Sequence, residues 1–120
     1  MKHNEGFLHL VADAKTRVRE IDLGTYQAEI DEPHVLVDVR EESEWAAGRV
    51  SGAIHLGKGV IERDIETQIP DKSTKLVLYC GGGFRSALVA DNLRKMGYTR
   101  PISLDGGWRD LKDSGLPLEK

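Results

Sequence analysis

The stretch LVLYCGGGFRSALVADNLRKMG, residues 76–97, decides the fold. Leu76 to Tyr79 is a short apolar run that reads as a buried strand, and the three glycines after Cys80 end it. From Ser86 to Met96, the residues Val89, Ala90, Leu93 and Met96 recur on one side of a helix, and Gly97 supplies its stop. Strand, tight turn and helix in that order belong to a parallel α/β crossover, which places Cys80 at the carboxyl end of its strand.

Working outward, the alternation repeats. Val35 to Val39 is nearly continuously apolar, as a strand buried on both faces requires, and Arg40 to Ala47 resumes a helical pattern. Ala53 to Leu56 is another short strand, and Val60, Ile61, Ile65 and Ile69 space out a helix before Pro70. Ile102 to Leu104 is the last strand, after which Gly106 and Gly107 turn the chain into a brief helix over 108–113. On the amino-terminal side, Val18 to Ile21 reads as a strand and Asp22 caps a helix running to about Ile30. Phe7, Leu10, Val11 and Ala14 mark an amphipathic helix over 6–16, which either covers one side of the same domain or docks on a partner. The economical architecture is a parallel α/β sheet covered on both faces.

Composition narrows the function classes. The 120 residues, 39% hydrophobic and 31% charged, suit one globular domain and not a disordered chain. A single cysteine makes no internal disulfide and there is no Cys-x-x-Cys pair, which favours a reducing compartment. MKHNEGFLHLVADAK, residues 1–15, has no sustained apolar run, so we expect neither a secretory signal nor a membrane span, and a cytoplasmic location. The net charge is −3 with the basic residues dispersed, which argues against binding a nucleic-acid backbone. His3, His9, His34 and His55 lie far apart without cysteine companions, so no metal site and no cofactor are expected.

The chemistry concentrates on Cys80. Glycines let a backbone curl tightly and bring amides close to a ligand. If the amides of Gly82, Gly83, Phe84, Arg85 and Ser86 converge above an exposed sulfur, they form a cradle for negative charge, reinforced by the helix amino terminus and the Arg85 guanidinium. Such a cradle favours thiolate over thiol, which a sulfur nucleophile needs. The plainer alternative is that Cys80 is a small buried hydrophobe beside a glycine loop. Asp38 and Arg40 fall at another strand's carboxyl end; Asp38 can pair with Arg40 or Arg49 to hold the neighbouring loops, or Arg40 can face the pocket. Trp108 either lines one pocket wall or packs helix against sheet.

Three segments together resemble a single-domain rhodanese-like sulfurtransferase: LVDVREESEWAAGRVSGAIHL at 36–56, CGGGFRSALVADNLRKMGY at 80–98 and LDGGWRDLKDSGLPLE at 104–119. The resemblance implies a three-layer rhodanese-like fold, with a five-stranded parallel sheet between helices over residues 18–120; residues 1–17 are expected to be a helical extension beyond that domain, packed on it. It implies that Cys80 carries sulfane sulfur as a persulfide and that Gly81 to Arg85 surround it with amides and a guanidinium. It also implies that Asp38 and Arg40 stabilise the site region. Arg49 and Ser51 stand where the family usually has histidine and proline, and Leu111 where it often has tryptophan. Expected partners are a small anionic sulfur donor, a thiol or cyanide acceptor, and a sulfur-accepting protein. Two rival readings remain at this level. One is a noncatalytic sulfur carrier or regulatory binding module. The other is a cysteine phosphatase or arsenate reductase, although only four residues separate Cys80 from Arg85 where that class resembles Cys, five residues, Arg.

Overall fold

A computed structural model describes residues 3–120. The strand at its centre is the one read first. It pairs in parallel with neighbours on both sides, so its apolar side chains on either face are covered. In chain order the elements are α1 (Glu5–Lys15), β1 (Arg19–Ile21), α2 (Leu23–Ala28), β2 (Val35–Asp38), α3 (Glu42–Ala47), β3 (Arg49–Val50), β4 (Ile54–His55), α4 (Ile61–Gln68), β5 (Leu76–Tyr79), α5 (Phe84–Lys95), β6 (Pro101–Leu104), α6 (Gly107–Leu111) and β7 (Leu118–Glu119). Five strands form one sheet in the order β1-β6-β5-β2-β4, and every pairing in it is parallel. The expected five-stranded parallel sheet between helices is therefore the observed one.

Strand side chains alternate between faces, and this splits the core in two. Val37, Val39, Leu76, Leu78 and Cys80 join Ile61 and Ile65 of α4 and Val89, Ala90 and Leu93 of α5 on one face. Leu36, Val77, Tyr79, Ile102 and Leu104 join Tyr26 of α2 and Leu111 of α6 on the other. Leu76, Leu78, Leu93, Ile61 and Ile65 are fully buried, each stabilising by about 1.5–3 kcal/mol relative to exposure. Cys80 thus projects toward α4 and α5, whereas Asp38, in register with Tyr79, projects to the opposite face.

Several boundaries differ from the sequence expectation for local reasons. α3 begins at Glu42, not Arg40, because Glu41 and Glu44 form a reciprocal capping box there. α5 begins at Phe84, two residues before Ser86, since Gly83 sits at φ 112° and turns the chain straight into the helix. β3 and β7, a two-residue antiparallel pair, were not anticipated; two residues carry no alternation to read.

α1 lies against α5 and buries Val11 and Ala14. Leu10, assigned to the same apolar stripe, is instead 56% exposed. The turn after α1 is fastened by Arg17, whose Nε and Nη2 donate to the two carboxylate oxygens of Asp91 on α5 at 3.0 and 2.8 Å. That hydrogen bond, ahead of those from Arg94, holds the Asp91 carboxyl well below the usual carboxylate range. Among the described residues no helix is long and apolar enough to cross a membrane, and no group of histidine, cysteine and carboxylate side chains is placed to hold a metal ion.

Candidate active site

The loop from Cys80 to Gly83 is held from behind by the amino end of α6. The amides of Trp108, Arg109 and Gly106 donate to the carbonyls of Cys80 (2.7 Å), Gly81 (3.1 Å) and Gly82 (3.1 Å). A trans peptide unit points its N–H opposite to its C=O, so the amides of Gly81, Gly82 and Gly83 are turned away from α6. That of Gly83 reaches the Cys80 sulfur, donating to Sγ at 3.1 Å. On the other side of the sulfur the thiol donates to Ser86 Oγ at 3.5 Å, and Ser86 Oγ is 2.8 Å from Ser103 Oγ on β6. Both serines are fully buried.

The close fit of loop to α6 depends on Gly107. Its φ of 45° is left-handed, and a Cβ there would come within 2.3 Å of the Cys80 carbonyl oxygen. Backbone cannot move aside as a flexible side chain can. Gly107→Ala is therefore expected to push the Cys80 carbonyl off α6 and destabilise the protein by about 1–3 kcal/mol. A thermal melt checks this, and an unshifted melting temperature would contradict it.

Above the sulfur is a cavity of about 920 Å³ whose lining includes Cys80, Gly81, Gly82, Phe84 and Arg85. Gly83 and Ser86 do not line it; they touch the sulfur from beneath. Cys80 is 1% exposed. This corrects the expectation of an exposed thiol: the loop and α5 close around the side chain, leaving it in the cavity floor. The expected convergence of five amides is likewise narrower, since among the described residues Gly83 alone donates a main-chain hydrogen bond to Sγ, while Ser86 meets the sulfur with its Oγ as the acceptor of the thiol.

Arg85 reaches the cavity but is engaged there by Glu44 of α3, a residue that sequence reasoning did not single out. Its Nη1 and Nη2 donate to the Glu44 carboxylate at 3.2 and 3.4 Å. Burial opposes the charge on Arg85, yet the Glu44 hydrogen bond and the neighbouring negative groups raise its pKa above the ordinary value. Burial also opposes ionisation of Glu44, but hydrogen bonds from Arg85 and the Glu41 amide outweigh it and lower its pKa. The only hint of Glu44 in the chain was its spacing in the capping box, which says nothing about a second partner.

Asp38 and Arg40 form a buried pair with no access to this cavity. Arg40 Nε and Nη2 donate to the Asp38 carboxylate at 3.0 and 2.7 Å, the Arg40 amide donates to Asp38 Oδ1 at 2.9 Å, and Nη2 also donates to the Gly48 carbonyl at 2.6 Å. Asp38 therefore pairs with Arg40 and not Arg49. Arg49 lies over the Trp45 ring and donates to Glu119, fastening β3 to β7. Trp108 does not line the cavity either: its ring faces the Arg40 guanidinium at 4.5 Å and stacks on Tyr79. Burial, then the nearby Asp38 carboxylate, raises the Tyr79 pKa. The Cys80 loop thus rests on Trp108 from behind, and Trp108 rests on the Asp38–Arg40 pair.

The profile of the rhodanese-like domain matches residues 22–114. The chain belongs to the rhodanese-like domain family. Among rhodanese-like relatives, it is 32% identical over 84 residues to the thiosulfate sulfurtransferase PspE of Escherichia coli K12, covering 70% of this chain and 77% of that protein. It is 34% identical over 92 residues to the putative sulfurtransferase YtwF of Bacillus subtilis 168, covering 75% and 86%. In structure it is similar to a Rhodopseudomonas palustris CGA009 protein described as a possible tyrosine phosphatase, with TM-score 0.81 and 26% identity over 99% of this chain and 98% of that one. That match extends over α1 as well as residues 22–114.

Proposed function

We propose that the protein is a sulfurtransferase that works through a persulfide on Cys80. The Cys80 thiolate attacks the outer sulfur of a small anionic donor such as thiosulfate; the S–S bond of the donor breaks and sulfite leaves with its electron pair. The persulfide then yields its outer sulfur to a thiol or cyanide acceptor, which regenerates the thiolate. The observation that carries this reading is the Gly83 N–H, held 3.1 Å from Sγ in a loop whose carbonyls are committed to α6. A preorganised donor stabilises negative charge on either sulfur without reorganising during the reaction. Arg85, kept cationic beside Glu44, is the group placed to meet the oxyanion end of the donor.

Incubating the native protein with thiosulfate and weighing it tests the reading. We expect a mass gain of one sulfur atom, removed by cyanide, and no gain under any donor would sink it. A carrier role shares the loading step, and the 1% exposure of Cys80 favours it to the extent that discharge needs an acceptor that fits the cavity. Loading followed by slow discharge to cyanide and fast discharge to a protein thiol would select the carrier.

A phosphatase reading is weakened by the short Cys80–Arg85 loop, in which four residues give a tighter cradle than five. We expect no hydrolysis of an aryl phosphate above background. Turnover that depends on Cys80 would reverse that ranking.

A further inference from the structure

The first turn of α1 does not face the core. Phe7 lies one turn before Val11 and two before Ala14, on the face that packs against the domain, but at the position of Phe7 that face has passed the end of the core and reached the Cys80 cavity. His3, Phe7 and Phe84 all line this cavity together with Cys80. Their rings form one cluster: His3 to Phe84 4.8 Å, His3 to Phe7 5.2 Å and Phe7 to Phe84 6.2 Å between centroids, each pair tilted by 48–59°. Lys15, near the end of α1, places its ammonium 5.2 Å from the centre of the Phe84 ring. All three rings are half-buried, so each keeps surface available to a ligand.

The cavity volume, about 920 Å³, is of the size that holds organic ligands and far exceeds the needs of an inorganic anion of five heavy atoms. Its rim also carries Arg109, whose side chain is 67% exposed and has Asp110 as an ion-pair neighbour at 3.5 Å. An aromatic wall, the Arg85 and Arg109 guanidiniums beside the Glu44 and Asp105 carboxylates, and a sulfur nucleophile in the floor together suit a donor that is flat and apolar at one end and carries its charge around the sulfur. We propose that the first turn of α1 is a selectivity wall of the cavity, through which His3 and Phe7, with Phe84, favour sulfur donors whose reactive group is attached to an aromatic ring. This rests on the persulfide chemistry proposed above. With an arenethiosulfonate the Cys80 thiolate takes the terminal sulfur, the bond between that sulfur and the sulfonyl sulfur breaks, and the arenesulfinate leaves with the electron pair.

Benzenethiosulfonate and methanethiosulfonate differ only in the group on the sulfonyl sulfur; the intrinsic reactivities of the two leaving sulfinates cancel when native and variant proteins are compared, so the change in the ratio of their kcat/KM values reads the wall. The native protein is expected to prefer the aromatic donor by about tenfold, from apolar burial and ring–ring contact. Phe7→Ala and His3→Ala are each expected to cut the ratio about threefold. Phe7→Leu keeps helix and apolar volume and loses the ring, so it carries the same readout if Phe7→Ala fails to fold. A role confined to docking α1 would slow both donors alike and leave the ratio fixed. A native ratio near one, or a ratio unmoved by both the Phe7 and His3 changes, overturns the wall while leaving persulfide loading intact. Absence of loading from either donor overturns both proposals.

Discussion

Cys80→Ser is expected to end sulfur loading, with persulfide formation falling by more than about a thousandfold, while the melting temperature barely moves. The two halves of that expectation have different origins. Loading requires a nucleophilic sulfur that can hold a second sulfur, and a serine oxygen cannot replace it. Stability depends on filling the space and satisfying the polar groups around it. The Gly83 N–H needs an acceptor and Ser86 Oγ needs a neighbour, and a serine hydroxyl can serve both. Mass analysis after thiosulfate treatment and a thermal melt of the same preparation check the two halves separately. Residual loading on the variant would place the sulfur elsewhere than Cys80, although no other cysteine exists in the chain.

Asp38→Ala should have the largest effect on stability, with a loss of about 3–5 kcal/mol, because it strands the Arg40 guanidinium in the interior. Arg40 is 2% exposed and Asp38 is fully buried. After the change Arg40 keeps the Gly48 carbonyl and the face of Trp108 but has no carboxylate in contact. For a domain held by about 5–15 kcal/mol this is a large fraction. Urea denaturation measures it, and a loss below about 1 kcal/mol would mean that Arg40 reaches another carboxylate or solvent. The folded fraction is expected still to load sulfur. Asp38 projects from the sheet face opposite to Cys80, so its influence on the site is indirect, through Tyr79 and the Arg40–Trp108 stack behind the loop.

The parallel sheet and the place of the thiol were legible because both rest on short-range patterns. Four consecutive buried residues in β5, three glycines and a helical apolar spacing are all contained within 76–97. The division of labour between Cys80 and Asp38 was also within reach. Cys80 shares its parity with Leu76 and Leu78, and Asp38 registers with Tyr79, so alternation alone separates their faces once β2 and β5 are paired. Glu44, Ser103 and the β3–β7 pair were not within reach. Each is defined by a partner more than ten residues away: Arg85 for Glu44, Ser86 for Ser103, and Leu118 and Glu119 for Val50 and Arg49.

Local order along the chain determined the alternating strands and helices, the strand end that carries Cys80, and the glycine turn after it, since backbone propensity and apolar period act over a few residues. Tertiary structure alone decided how deep the sulfur lies, that α6 turns the loop carbonyls away from it, that Glu44 occupies Arg85, and that α1 brings His3 and Phe7 to the same cavity. Those outcomes depend on which distant surfaces meet when two faces of a sheet are covered, and no local period encodes that.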